Sequence, residues 1–561
     1  MKRLFTSVFL KSFFSMLASG IAMFLGTIID GFFVGRCLGE ISMSAYQLNM
    51  PVIMLAAMVT VFFAAGIQNL YSEYLGAGKI ERAFRILSVA LACVVTIGAL
   101  MNFALSAFNS DIAVLLGAEA NQEFLYTETR NYMFGLSLGI VPLLAIPLVT
   151  FLLYIEGRVK VLISAIAAML AVNLLGDLSA VFVFQNGLLG IGLASSACYW
   201  AVILVTLAAF VKKRPVFRFM FSLKDLNLLG VLFKRGFPSG IERLLIILQI
   251  SFVNHFLLKI SIEFVAIYAV ISVMNQIFSS IADAVATTTF TMGSVFHGEG
   301  DNKALRVLFS IFTRYALIIG GVVMLVCLLL ARNLFGIFTE NAQIAEFGSA
   351  ALRMFILFFP FYTFIRAFHK YIQATGVWSL AYVIPVCEYI LFFVPCAYAL
   401  EYFAGSQSVW LAFLCSETLT VILIVLYTLV KKQANSDCKI LYEVSIERED
   451  EILKHRTCVQ KISMYAALAL EEMCRNIFQY NQSQKSLGID VRLAENEGGL
   501  ILRIRDNGRA FDPVKWLEIH KPQESVLNIG LRLISALAKS FRYINILGMN
   551  NLIINLRREG I

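Results

Sequence analysis

Asp30 lies deep in the first apolar stretch of the chain, and Asn173 and Asp177 lie four residues apart in the fifth. An ionised aspartate at the centre of a membrane helix costs about 2.5–3.5 kcal/mol on insertion scales, so something must offset it. Residues four apart share a helix face. The Asn173 amide oxygen and the Asp177 carboxylate can therefore converge on one cation, or stabilise one proton between them, and burial favours the protonated form of a carboxyl. Coupling-ion binding at Asp30, Asn173 and Asp177 is the expectation; the rival is that Asp177 simply caps or pairs inside a helix bundle. A second set stands in the polar C-terminal sequence. Glu472 and Asn476 share a face of the helical pattern at 462–479, Asp506-Asn-Gly508 ends the alternating run Leu500-Ile-Leu-Arg-Ile-Arg505, and Gly530 opens another apolar run at 531–538. An acid, an amide, an acid–glycine turn and a glycine at a helix N-terminus, in that order, are the parts an ATP pocket needs.

Four further acids, Glu242, Asp283, Glu388 and Glu417, fall in or near apolar runs of the second half. Glu242 is followed directly by Arg243, which makes a structural ion pair at least as good a reading as a binding role. Asp283 and Glu388 are the better cavity candidates. Pro142, Pro147, Pro360, Pro385 and Pro395 sit within apolar runs, and no specific role is assigned to them.

The elements that position these residues are set by hydropathy. With 561 residues, 59% hydrophobic and 15% charged, the chain has too little polar surface for a soluble fold. Apolar runs long enough to span a bilayer recur near 12–35, 45–70, 84–108, 131–155, 160–184, 188–211, 236–260, 264–293, 305–330, 350–373, 377–403 and 408–430. The reading is an all-α polytopic membrane protein of about twelve transmembrane helices, arranged as two six-helix bundles, with a C-terminal α/β sandwich domain. The expected divisions are a first bundle at 1–211, a basic connector at 212–235, a second bundle at 236–430, a linker at 431–438 and a nucleotide-binding domain at 439–561.

Lys2, Arg3, Lys11, the loop 79–85, Arg158, Lys160, the stretch 212–235, Lys303, Arg306, Lys431 and Lys432 all fall on one side of such a body. The positive-inside rule then puts both termini in the cytoplasm. The N-terminus runs into the first span without a cleavage pattern, so no cleaved signal peptide is expected. The net charge of +9 is accounted for by topology, and no nucleic-acid partner is expected. The ten cysteines contain no C-x-x-C pair and indicate neither a zinc site nor a disulfide framework.

Ser72-Glu-Tyr-Leu-Gly-Ala-Gly-Lys79 is echoed by Ser294-Val-Phe-His-Gly-Glu-Gly-Asp301, and Tyr154-Ile-Glu-Gly157 by Tyr371-Ile-Gln-Ala-Thr-Gly376. Two echoes at nearly one offset indicate a duplicated bundle, a construction suited to rocking around a central cavity. Asp30-Gly-Phe-Phe-Val-Gly35, the Ser72 to Gly78 motif, and Asn173-x3-Asp177 resemble the multidrug and toxic compound extrusion (MATE) transporters over roughly residues 5–430. The resemblance implies a secondary antiporter, in a bacterial-type inner membrane, that exports small organic, often cationic and amphipathic, compounds in exchange for H⁺ or Na⁺.

From about residue 440 onward the sequence is similar to the GHKL ATPases, and most similar to their anti-sigma-factor serine-kinase branch. That resemblance implies ATP and Mg²⁺ as cofactors. Asn476 would offer its amide oxygen to Mg²⁺ bridging the phosphates, and Glu472 would act as general base toward water or a serine hydroxyl. Asp506 would accept from the adenine amino group, Gly508 would allow close backbone approach, and Gly530 would present amides to phosphate. Asn528 replaces the first glycine of the usual Gly-x-Gly, a departure that weakens the phosphate end. No phosphoacceptor histidine helix precedes the domain and no G-x-x-x-x-G-K-[ST] loop occurs, which disfavours a sensor histidine kinase and a primary pump. The function expected is ion-coupled export with a regulatory ATP-binding tail that also has a cytoplasmic protein partner. The alternatives are a membrane-anchored partner-switching serine kinase and a lipid-linked flippase.

Overall fold

A computed structural model describes residues 2–118, 123–336, 342–430, 439–482, 487–496, 499–519 and 529–556. The expected linker at 431–438, with Lys431 and Lys432, and the departure at Asn528 lie outside the described residues. Ten helices are long and apolar enough to cross a membrane, or up to twelve when two bent pairs are each taken as one span. The bent pairs are Glu123–Ser137 with Ile140–Ile155, and Glu346–Ile356 with Phe359–Ala374, at angles of 43° and 42°. They occupy the fourth and tenth places in chain order, so the two halves bend at corresponding points.

The turns of the repeat adopt matching backbones. Gly78 and Gly300 have φ of +72° and +67°, and Gly157 and Gly376 have φ of +69° and +76°. These left-handed conformations are the ones glycine adopts without a Cβ penalty. The second span (Met50–Gly76) and the eighth (Ile262–Gly298) also cross without intervening side chains at this end. A Cβ on Gly76 would strike the Val295 carbonyl, and one on Gly298 would strike the Glu73 carbonyl. The two spans are thus in backbone contact on the side where the first span begins and where the tail sits, with Asn69 Nδ2 donating to Ser294 Oγ at 3.0 Å across the seam.

The tail is a five-stranded antiparallel sheet in the order β1-β2-β3-β5-β4, formed by β1 (Lys439–Ile446), β2 (Ile489–Asn496), β3 (Gly499–Asp506), β4 (Ala538–Ile546) and β5 (Met549–Leu556). Strand period two sorts its residues by face. Val491, Leu493, Leu502, Ile504, Leu552 and Ile554 point to one side and form a core with Leu470, Met473 and Leu531 of the covering helices. The long tail helix (Met464–Tyr480) starts where it does because Ser463 Oγ accepts from the Ala466 N–H at 3.1 Å, a side-chain N-cap. The run expected to be helical at 531–538 is a helix at Ile529–Leu537 that passes into β4 at Ala538 with no loop between. Strands β1 and β2 and a helix at Glu451–Gln460 were not anticipated from the sequence.

Candidate functional site

In the first bundle, three spans bring the expected residues together. Asn173 Nδ2 donates to Asp30 Oδ1 at 2.8 Å, and Ser195 Oγ, from the sixth span (Gly187–Lys212), donates to Asp30 Oδ2 at 3.0 Å. Asp30, Asn173 and Asp177 are 7%, 3% and 0% exposed, so water satisfies none of them to any extent. Asp177 reaches the Asp30 carboxyl side chain to side chain. Neither Asp177 oxygen, nor Asn173 Oδ1, has a hydrogen-bond donor. Buried oxygens without a donor beside the Asp30 carboxyl call for a proton or a cation. Ser195 was not singled out from the sequence; the Ser195-Ser196 pair in an otherwise apolar span was its only signal.

The second bundle differs in kind. Glu242 pairs not with its neighbour Arg243, as the sequence suggested, but with Arg366 and with Lys370 Nζ at 3.0 Å, both from the tenth span. A residue directly adjacent on a helix points some 100° away, whereas a facing helix supplies a partner in line. Arg366 also holds Asp283 at 2.5 Å; the Asp283 side chain is 48% exposed, while that of Glu242 is 4% exposed. Glu388 and Glu417 are both buried, at 3% and 5% exposure, and lie side chain to side chain. Arg366→Ala would leave Glu242 with Lys370 and His369 and remove the guanidinium that holds Asp283. It is expected to destabilise the body by about 3–5 kcal/mol, read as a lower melting temperature in detergent, with Arg366→Lys retaining more than Arg366→Ala. An unchanged melting temperature would mean the cluster is held by something other than this guanidinium.

In the tail, Asp506, Asn476, Met473, Tyr480, Arg509, Phe511, Leu531, Tyr543 and Asn550 line an open pocket of about 500 Å³. Asp506 Oδ1 accepts from Asn550 Nδ2 at 2.7 Å and from the Gly508 N–H at 2.8 Å. Asn550 Oδ1 in turn accepts from Tyr543 Oη at 2.6 Å and Asn545 Nδ2 at 2.7 Å, which fixes the amide so that its NH₂ faces the acid. The sequence reading missed Asn550, whose place is defined only by its register opposite Asp506. A Cβ on Gly508 would fall 2.7 Å from Asn481 Nδ2 and 2.9 Å from Asp506 Oδ1, so the turn admits no side chain. Apolar walls and a Tyr480–Phe511 stack at 5.9 Å bound a slot suited to a planar ring. Toward its other end, Asn476 Nδ2 donates to Glu472 Oε1 at 3.3 Å, leaving the amide oxygen to the pocket, and a Cβ on Gly530 would collide with the Glu472 carboxylate. The slot and the polar groups that line it fit a nucleotide.

Burial pushes the Asp506 carboxyl up to about 6, against the opposing pull of the Asn550 and Gly508 hydrogen bonds. An amino group donates best to the ionised acid. ATP affinity is therefore expected to fall by about 5- to 10-fold between pH 7.5 and pH 5, where a group of this pKa is about nine-tenths protonated. Because the folded-state value is raised, protonating Asp506 adds to fold stability as pH falls from about 6 toward the unfolded value near 4. Loss of binding over that window is then not loss of fold through this group. Affinity that is flat with pH would show that the acid does not read the ligand.

The MatE family profile matches residues 16–178 and again 238–399, together more than half of the chain, and the histidine kinase-like ATPase domain profile matches residues 448–554. The chain is 21% identical over 430 residues to the multidrug export protein MepA of Staphylococcus aureus, covering 72% of this chain and 91% of that protein. Its fold is that of the Vibrio cholerae MATE transporter VcmN, with TM-score 0.70 and 18% identity over 77% of this chain and 98% of that one. A MOP superfamily transporter from Pyrococcus furiosus, described as having a binding pocket of reverse polarity, superposes with TM-score 0.68 at 18% identity over 76% of this chain and 95% of that one. The two MatE matches start 222 residues apart (238 less 16), the same offset that separates Ser72 from Ser294. The chain belongs to the MatE family and carries, after its duplicated membrane body, a histidine kinase-like ATPase domain.

Proposed function

We propose that this protein exports small organic compounds, cationic or amphipathic, in exchange for H⁺ or Na⁺, and that its tail binds ATP with Mg²⁺ to regulate that exchange. The observation that carries the reading is the set of donorless oxygens, Asp177 Oδ1 and Oδ2 with Asn173 Oδ1, packed against an Asp30 already holding two donors. Two carboxylates side by side in a dry site cannot both stay ionised uncompensated, so the site would take either one proton or one sodium ion. Substrate that needs the same site or the same bundle arrangement then competes with the ion, which is the basis of exchange. The substrate class is supported by the name of the S. aureus relative, a multidrug export protein. The distribution of basic loops supports cytoplasmic termini in this reading, with the body in a bacterial-type inner membrane.

In the tail, Asn476 would offer its amide oxygen to a Mg²⁺ bound with the nucleotide, and Glu472 would act as the base toward water or a serine hydroxyl. Among the described residues no group of three or more His, Cys, Asp or Glu side chains is placed to hold a metal ion without such help. The intact Glu472–Asn476 pair favours one second reading, in which the tail phosphorylates a cytoplasmic partner protein. Proteoliposomes loaded with a panel of cationic dyes test the main reading: flux should follow an imposed proton or sodium gradient, and swapping one gradient for the other identifies the coupling ion. Flux of no dye under either gradient would sink the antiporter reading.

A further inference from the structure

The face of the tail sheet that carries no helices holds three arginines. Arg503 and Arg505 alternate with Leu502 and Ile504 on β3, and Arg492 on β2 is the direct cross-strand partner of Arg503. Like charges set opposite one another on a sheet repel, and although Glu443 of β1 lies 3.5 Å from Arg492 and Asp490 is the cross-strand partner of Arg505, this face also draws acids from elsewhere. It finds them in the turn after the eighth span. Asp301 accepts from Arg492 at 2.5 Å, Arg503 at 2.6 Å and Arg505 at 2.9 Å, and Glu299 pairs with Arg505 and accepts from Asn551. The side chains of Glu299 and Asp301 are each 1% exposed and that of Arg505 is 2% exposed. Burial alone would raise the Asp301 carboxyl, but the Arg505, Arg503 and Arg492 guanidiniums hold it well below the ordinary carboxylate range. Arg505 also stacks over Phe5 and Phe296, each ring centroid 5.3 Å away.

The same sheet grips the other bundle. Arg542 Nη1, on β4, donates to the Ala77 carbonyl at 2.8 Å, and Ala77 occupies in the first repeat the place that Glu299 occupies in the second. The β4–β5 hairpin tip presses into the turn after the fourth span, where the Leu547 N–H donates to the Ile155 carbonyl at 2.9 Å. Leu547 has φ of +57°, a left-handed conformation unusual for a bulky residue and sustained only where its surroundings fix it. Ile544, Ile546 and Met549 belong to the same apolar core as the first bundle.

We propose that the tail is a latch that bridges the two bundles, holds the transporter shut at the tail end, and is loosened by nucleotide. The seam between the bundles runs through Gly76 and Gly298, beside the two turns that the sheet grips. Opening at that end separates the turns, and one rigid sheet cannot follow both. Nucleotide reaches the latch by two routes. Asp506 and Asn550 are cross-strand partners facing the pocket, and the next pair along, Arg505 and Asn551, face Glu299. The helix at Ile529–Leu537 touches the Glu472 carboxylate at Gly530 and continues directly into β4, which carries Arg542. Seating phosphates between Glu472 and Gly530 displaces that helix and with it the first-bundle grip. By linkage, opening the body raises ATP affinity by the same factor by which ATP favours opening. The latch stands on contacts alone; its response to nucleotide rests on the reading of the pocket as an ATP site.

The test uses the full-length chain in lipid nanodiscs, its native cysteines replaced, with spin labels at the exposed positions Arg82 and Arg306, at the tail ends of the third and ninth spans. Without nucleotide, the wild-type background should give one short distance. Glu299→Gln with Asp301→Asn, or Arg542→Ala alone, should raise a longer-distance population by about 10-fold, equivalent to roughly 1.4 kcal/mol. Glu299→Arg with Asp301→Arg should do the same, and adding Arg503→Glu with Arg505→Glu should restore the short distance, which separates a broken latch from a broken fold. Mg-ATP should raise the longer population in the unmodified latch and have no further effect once Glu299 and Asp301 are neutralised. Distances that stay the same in every latch variant overturn the latch, whatever ATP does. Variants that open while the unmodified latch ignores millimolar Mg-ATP overturn the nucleotide arm and leave the latch standing.

Discussion

Asp177→Asn is expected to abolish gradient-driven efflux while leaving the protein inserted and folded. The change removes an exchangeable charge at almost constant volume, and the new amide can donate to the Asp30 carboxyl that it faces. A confrontation of two buried acids becomes an ordinary hydrogen bond, so the melting temperature in detergent should hold or rise. Transport should drop by about 100-fold or more, some 2.7 kcal/mol at 1.36 kcal/mol per tenfold, because the site can no longer alternate between ion-bound and ion-free forms. Asp30→Asn should lose transport to the same degree but at a cost in stability, since Asn173 and Ser195 donate to different carboxylate oxygens and an asparagine keeps only one acceptor oxygen, setting its NH₂ against the other donor. Dye efflux from proteoliposomes under proton and sodium gradients, with thermal melts of the same preparations, separates the two effects. Undiminished flux in both variants would end the assignment, and failure of Asp177→Asn to insert would favour a structural role.

What was legible in the sequence was local. Twelve apolar runs were long enough to read by hydropathy, and the bent fourth and tenth spans did not obscure them. Asn173 and Asp177 share a helix, so their common face followed from spacing, but the serine that completes the site lies 165 residues from Asp30 in sequence and has no distinctive neighbours. The misreading of Glu242 has the same origin. Arg243 was adjacent in sequence, whereas Lys370, 128 residues away, is adjacent in space. In the tail, the Glu472 to Gly530 motif was readable because its parts sit within or at the ends of elements whose periodicity is strong. Strand β1, at a sheet edge, has only intermediate burial along much of its length and therefore little alternation to read. The charges of the latch were visible in the sequence without their partners: Glu299 and Asp301 stand within the repeat, and the arginines on β3 within an alternating run.

Within the tail, Asp506→Ala in the full-length chain is expected to lower ATP affinity by about 10- to 100-fold, the range for losing a hydrogen bond to a charged group. Asn550 and the Gly508 N–H would lose their acceptor at the same time, so the pocket loosens as well as losing its adenine contact. Glu472→Ala should behave differently. Its carboxylate touches Gly530 and accepts from Asn476, at the phosphate end and away from the ring slot, so nucleotide should still bind while any hydrolysis or phosphotransfer disappears. Fluorescent-nucleotide titration and phosphate release on the same two variants resolve the difference. In both, export should persist on an ion gradient alone, because the residues that hold the coupling ion lie in the first bundle and none is in contact with the tail sheet among the described residues. Export that stops in Glu472→Ala while nucleotide is still bound would make hydrolysis the driving force and overturn the secondary-transport reading, whereas export that only slows when ATP is withheld is what a closed latch gives.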